Sequence, residues 1–239
     1  MKTPRYACRT DTGRVRHHNE DAVTVLPEIG VAILADGMGG HSAGEVASHL
    51  AIGMVETILR QTAGVAAAAR LDTAIQAAHS GILEKAATSH RFQGMGTTIV
   101  VTLLEGQRLT FAHVGDSRLY RWRKGRLEQL TRDHSMQQEF VDKGLYTPAE
   151  VANHVGRHLL SRALGLEGSL QVDIGGTDLQ SRDRYLLCSD GLYEMASHDA
   201  ISGWLSRPFD ADATCEALVD LANTLGGKDN ISVALIDIP

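Results

Sequence analysis

The stretch Val31-Ala32-Ile33-Leu34-Ala35, followed by Asp36-Gly37-Met38-Gly39-Gly40-His41, constrains this chain more than any other part of it. Five consecutive apolar residues running into turn residues suit a buried strand; a helix needs a longer run. The strand ends in a carboxylate, so the acid is rigidly held and points out of the sheet. Gly37 lets the backbone turn and brings its own carbonyl toward whatever the acid holds. Such a corner presents oxygen ligands to a hard cation, although a single Asp-Gly is more often a plain strand-to-helix turn. Here the pattern recurs. Gly115-Asp116-Ser117 follows a strand expected at Leu109–Val114, Ser189-Asp190-Gly191-Leu192 follows Arg184–Cys188, and Gly226-Gly227-Lys228-Asp229-Asn230 leads into Ile231–Ile236.

Between these corners the chain alternates in character. Strands are expected at Tyr6–Thr10 and Ala22–Leu26. A helix is expected over Ala43–Leu59, where Ala43, Val46, Ala47, Leu50, Ala51, Met54, Val55 and Ile58 make one apolar face and Ser42 with Glu45 makes a capping box. A second helix, about Val65–Thr88, buries Leu71, Ile75, Ala78 and Ile82 and leaves His79, like His49 on the first, at the surface. Thr97–Leu104, Leu109–Val114, Leu119–Arg123 and Leu127–Leu130 read as strands, with Lys124-Gly125 as a hairpin turn; His113 lies inside one of them, where it reads first as a satisfied interior residue and, being close to Asp116, second as part of the site. From about 132 to 165 the periodicity fades. That segment carries Asp133, His134, His154, Arg157, His158 and Arg162, with short helical stretches at Met136–Lys143 and Pro148–Ala152, and is expected to form a surface flap beside the site. Strands resume at Leu170–Ile174 and Arg184–Cys188, and a last helix covers Asp210–Leu225.

Composition excludes several classes. A net charge of −6 leaves no basic footprint for nucleic acid, and there is no apolar run of membrane-spanning length. Met1–Gly13 is too polar for a signal peptide. Cys8, Cys188 and Cys215 are odd in number and widely spaced, which fits reduced thiols in a cytoplasmic protein and not a zinc site.

Four acids therefore stand at strand ends beside or near glycines: Asp36, Asp116, Asp190 and Asp229. Two packed sheets with all four at one edge would bring them together. An all-oxygen set with no competing His/Cys cluster favours magnesium or manganese over zinc. The cluster Arg16-His17-His18-Asn19-Glu20-Asp21 is compatible with a solvated turn, or with Arg16 as a fork for phosphate oxygens and Glu20 or Asp21 orienting a metal-bound water. Acids, cations and an arginine suit hydrolysis of a phosphate ester.

Six motifs in order carry a resemblance: Arg16-x-x-Asn19-Glu20-Asp21, Asp36-Gly37-Met38-Gly39-Gly40-His41, Gly94-Met95-Gly96-Thr97-Thr98, Val114-Gly115-Asp116-Ser117, Ser189-Asp190-Gly191-Leu192 and Asp229-Asn230. Together they resemble the protein phosphatase 2C family, the metal-dependent Ser/Thr phosphatases, and in particular its compact bacterial members, over about Tyr6–Ile236. The resemblance implies an α+β fold, an αββα sandwich of two packed antiparallel sheets flanked by helices, as a single catalytic domain over residues 1–239. It implies Mn2+ or Mg2+ as cofactor, with Asp36 bridging two core ions. The Gly37 carbonyl would hold one ion, Asp190 and Asp229 the other, and Asp116 with Asp190 a weaker third. Arg16 would bind the substrate phosphate and Glu20 a metal-bound water, and direct attack of a metal-bridged water would hydrolyse phosphoserine or phosphothreonine. Asn230 would support Asp229, and the flap would influence substrate choice. Many eukaryotic members carry a histidine directly after the Asp-Gly, as general acid; Met38 stands there in this chain.

The partners so implied are phosphorylated proteins, a Ser/Thr kinase and its substrates, met by a monomer in the cytoplasm. Two other classes compete. A pseudophosphatase would lack one of the carboxylates, and all are present. A two-metal nuclease or small-molecule phosphoesterase would use similar ions, but the acidic charge disfavours nucleic acid.

Overall fold

The computed structural model describes residues 3–39, 43–147, 150 and 159–239. Among them, eleven strands pair into two antiparallel sheets. The first runs in the order β1 (Arg5–Asp11), β11 (Ile231–Asp237), β10 (Arg184–Cys188), β7 (Arg118–Arg123) and β8 (Arg126–Gln129). The second runs β2 (Asp21–Leu26), β3 (Val31–Met38), β5 (Ile99–Glu105), β6 (Arg108–Val114) and β9 (Asp173–Asp178), with the short β4 (Gly96–Thr97) paired to the end of β3. Helices α1 (Ala43–Gln61) and α2 (Ala67–Ala87) cover the second sheet. Helices α4 (Asp190–Tyr193), α5 (His198–Leu205) and α6 (Ala211–Thr224) lie on the side of the first, and α3 (Met136–Asp142) belongs to the excursion after β8.

Side-chain alternation builds the layers. In β3, Val31 and Ile33 pack with Ala47, Ala51 and Val55 of α1 and with Leu71 and Ile75 of α2. Ala32 and Leu34, on the opposite face, meet Val100, Tyr185, Leu187, Ala234 and Ile236 between the sheets. In the first sheet, Leu186, Ile231, Val233 and Leu235 turn outward onto Ile201, Leu205, Leu218 and Ala222. Strands β3, β10 and β11 are thus buried on both faces, which is why they read as unbroken apolar runs. The expected αββα sandwich is the fold observed.

Some local expectations are revised. The strand expected at Leu170–Ile174 begins at Asp173 and runs through Gly175 and Gly176, pairing with β6. Glycine propensity hides it, yet Gly175 is required because a side chain there would collide with the Phe111 ring. Helix α5 was not expected; Ser197 caps it through the Ala200 N–H. His79 is buried instead of exposed, its Nδ1 accepting from Gly165 N–H at 3.1 Å. The Lys124-Gly125 turn does form, with φ of 51° and 83°, the twist a two-residue hairpin needs. The Ser42 cap, His41, His154, Arg157, His158 and most of the helix expected at Pro148–Ala152 lie outside the described residues.

This topology sets the position of the acids. β3 and β6 are both antiparallel to β5, so they run the same way, and Asp36 and the turn at Asp116 share one edge of their sheet. In the other sheet β10 ends where β11 begins, which puts Asp190 and Asp229 at one edge too.

Candidate active site

The two edges meet around a cleft of about 550 Å3, lined by Arg16, Glu20, Asp36, Gly37, Asp116, Asp190 and Asp229 together with Met38, Thr98, Asn230 and the apolar Leu159, Leu160 and Leu166. Arg16, Glu20, Asp36, Gly37, Asp116, Asp190 and Asp229, singled out from sequence, all lie in its wall, whereas Asp21, the alternative to Glu20, does not. Cys8, Cys188 and Cys215 are free thiols that do not line it.

Asp36, Asp116 and Asp190 are held through their backbones. Asp36 is fixed from the facing strands. Its N–H donates to Thr98 Oγ1 at 3.0 Å, and its carbonyl accepts from Thr98 N–H and Thr97 Oγ1, both at 2.9 Å. Thr98 Oγ1 in turn bonds Ser117 Oγ at 2.7 Å, beside Asp116. Gly37 has no room for a side chain, because Gly44 of α1 and the Glu20 carbonyl crowd it. Asp116 is steadied by Tyr193, whose hydroxyl donates to the Asp116 carbonyl at 3.1 Å. Asp190 opens α4 directly after β10.

Electrostatically the cleft is a concentration of negative charge with little to balance it. Burial, then the charges of Asp21, Asp190, Asp116 and Asp229, push the Asp36 carboxyl well above its ordinary value. Burial and the charges of Asp116 and Asp229 do the same to Asp190. Asp116 is pushed up to about 6, mostly by burial. The cation facing this group within the cleft lining is Arg16, half-exposed, with Nη2 on Asp229 Oδ2 at 2.7 Å. Carboxylates crowded in this way favour a bound divalent ion, whose charge would reverse each of those shifts. The donors are all oxygen, which fits magnesium or manganese.

The loop before β2 is tied into the cleft by Asn230. Its Oδ1 accepts from Glu20 N–H at 2.8 Å, and its amide donates to the carbonyls of Thr12 and His18, both at 2.9 Å. Its own N–H bonds Asp229 Oδ1 at 2.9 Å. The Glu20 carboxyl is raised by burial, an effect partly offset by a hydrogen bond from the Gly44 backbone. Asp21, left open beside Glu20 in the sequence, lies behind Asp36: it is paired with it in register, buried, and accepts from Ser189 Oγ at 2.8 Å, while Oδ1 has no partner.

Two parts of the site escaped the sequence. Thr97 and Thr98 appear there as part of a motif, but nothing local shows that they grip the Asp36 backbone. Asp133 and His134 belonged to the irregular flap; in the structure Asp133 binds Arg118 Nη2 at 2.7 Å and His134 accepts from the Gly115 N–H, on either side of Asp116.

The family model described as protein phosphatase 2C matches residues 13–226. The serine/threonine protein phosphatase PstP of Mycobacterium tuberculosis is 41% identical over 235 residues, covering 98% of this chain and 45% of PstP, so the chain spans about half the length of that relative. The serine/threonine phosphatase stp of Listeria welshimeri is 36% identical over 236 residues, covering 96% of this chain and 94% of stp. A crystal structure of the PstP catalytic domain in complex with two manganese ions superposes with a TM-score of 0.89 at 39% identity, covering 99% of each chain. The chain belongs to the protein phosphatase 2C family.

Proposed function

We propose that this chain, as one catalytic domain over residues 1–239, is a metal-dependent protein phosphatase. It hydrolyses phosphoserine and phosphothreonine and opposes a bacterial Ser/Thr kinase, acting as a cytoplasmic monomer on phosphorylated proteins, the kinase among them. The observation that carries this reading is the convergence of Asp36, Asp116, Asp190 and Asp229, with Arg16 at the same wall, in one cleft. Relatives named as Ser/Thr phosphatases and a neighbour that holds manganese support it.

In this reading Asp36, the Gly37 carbonyl, Asp190 and Asp229 hold two ions, Mn2+ or Mg2+, and Asp116 with Asp190 holds a third. Bound there, divalent cations lower the pKa of water and neutralise charge on phosphoryl oxygens. The chain's own groups do the rest. Arg16 leaves Asp229 for the dianionic phosphate, where its planar fork can engage two oxygens. Glu20, anchored by Asn230 and the start of α1, orients the attacking water and accepts its hydrogen bond. Water attacks phosphorus in line and gives up a proton, and the P–O bond to the serine or threonine oxygen breaks without an enzyme nucleophile, that oxygen taking up a proton to leave as the alcohol. Met38, at the position where many eukaryotic members of the family carry a histidine, has no proton to give.

The test is phosphate release from a phosphothreonine peptide with manganese or with chelator, run beside Asp36→Asn and a DNA substrate. Manganese-dependent release that Asp36→Asn abolishes is expected. Release that survives chelation or the substitution would remove the mechanism, and preferred turnover of DNA would favour a nuclease.

A further inference from the structure

A second convergence of titratable groups lies outside the cleft. His113, His134 and Asp173 each offer one donor atom within 4.8 Å of the others. The hydrogen bonds argue against a metal there. Gly115 N–H donates to His134 Nδ1 at 3.2 Å, so Nδ1 is bare and Nε2 carries the proton, which faces Asp173 Oδ2 at 3.2 Å. An ion on Nε2 would require the opposite tautomer and leave two N–H groups facing each other. Arg162 already supplies positive charge, with Nη1 3.0 Å from Asp173 Oδ1.

What the arrangement does is hold Gly115. The His134 N–H donates to the Gly115 carbonyl at 3.0 Å, so both polar groups of the Gly115 backbone end on one residue. Gly115 has φ +104° and Thr98 packed where a side chain would point, so the turn has one shape and no spare volume. Asp116 is the next residue. His134 is 5% exposed and stacks on His113 at 4.6 Å, and burial helps push its pKa down to about 4, which keeps it neutral. Its carbonyl accepts from Ser161 N–H at 2.9 Å, and Met136 N–H donates to the Leu159 carbonyl at 2.9 Å. The two ends of the flap therefore pair with each other next to the residue that grips the Asp116 turn, and one of them, at Ser161, bonds that residue directly.

We infer that His134 is a positioning residue for the Asp116 carboxylate: Nδ1 and the main chain fix the Gly115-Asp116 turn, and Ser161 and the Asp173–Arg162 pair couple that turn to the base of the flap. The inference rests on the reading of Asp116 as a cation ligand. Partners of ligands at this remove commonly change metal affinity by about 10–100-fold when lost.

The test separates the two ring nitrogens. His134→Asn keeps an acceptor near the Nδ1 position and loses the reach to Asp173; His134→Gln keeps the reach and loses the acceptor. Manganese binding is measured by electron paramagnetic resonance on the full chain, without substrate, for both variants, for Asp116→Ala and for the Gln/Ala double variant, with circular dichroism as the fold control. His134→Gln is expected to weaken the Asp116-dependent part of the isotherm by about tenfold or more, His134→Asn by much less, and the double variant no more than Asp116→Ala alone. Equal effects of Asn and Gln, an unchanged isotherm in His134→Gln, or losses that multiply in the double variant would overturn the inference. If Asp116→Ala itself leaves the isotherm unchanged, the ligand assignment is what fails, and the positioning role falls with it.

Discussion

Replacing Asp116 with Asn is expected to stabilise the metal-free protein while weakening its response to manganese. The Asp116 carboxyl rises from an ordinary 3.8 to about 6, first because it is buried and then because Asp133 is near. A folded-state pKa above the unfolded one means that the acid's contribution is fully present below the unfolded value and is lost as pH rises through about 6. Asn resembles the protonated acid and loses nothing. At about 1.4 kcal/mol per unit, discounted for the partial exposure of the cleft, the gain at pH of about 7.5 is roughly 1–3 kcal/mol. For a chain of this size that is an increase of about 2–12 °C in Tm. Calorimetry in chelator at neutral pH and at pH below about 4 provides the assay; the increase should vanish in acid, where both states carry the protonated form. Saturating manganese should raise the wild-type Tm more than that of the variant, because binding to the folded state adds to stability. An increase of equal size in acid, or none at neutral pH, would refute charge crowding as the cause.

Further outcomes follow from particular contacts. Arg16→Ala should lower kcat/KM for a phosphothreonine peptide by roughly 10–150-fold, the equivalent of a charge-assisted hydrogen bond of about 1.5–3 kcal/mol, with circular dichroism unchanged. Gly165→Ala should lower stability by about 2 kcal/mol or more in denaturant titrations, since φ is +86° and its side chain would press on Ile82 and the Met95 carbonyl. Asp183 is fully buried and holds Arg123 and the Tyr185 hydroxyl. Burial alone would raise its carboxyl, but hydrogen bonds from Arg123, Gln180 and Tyr185 outweigh it and hold the pKa below the ordinary value. That stability is present above the ordinary carboxylate range and lost as pH falls. Asp183→Ala should therefore cost about 3–5 kcal/mol near neutrality, with a smaller difference from wild type in acid urea titrations.

The strand–Asp–Gly corners were legible because each is local: an apolar run, an acid and a glycine within a few residues. The burial of β3 was legible for the same reason. Long-range partners were not. Thr97 and Thr98 reach across from a facing segment to hold the Asp36 backbone, and no periodicity encodes that. His79 falls on the buried stripe of α2, four residues after Ile75 and three before Ile82, yet its polarity argued for the surface; the Gly165 N–H supplies the partner that allows burial. Helix α5 is one short amphipathic stretch behind a serine cap, too brief for a convincing period. Asp21 was readable as an acid near the site, but its place behind Asp36 follows from strand register alone.

Anomalous diffraction at the manganese edge, from crystals soaked in manganese, tests the central claim most directly. Peaks within bonding distance of the Asp36, Asp190 and Asp229 carboxylate oxygens, lost in crystals of Asp36→Asn, are the predicted result. Manganese bound elsewhere, or a cleft without anomalous density at saturating manganese, would contradict the account.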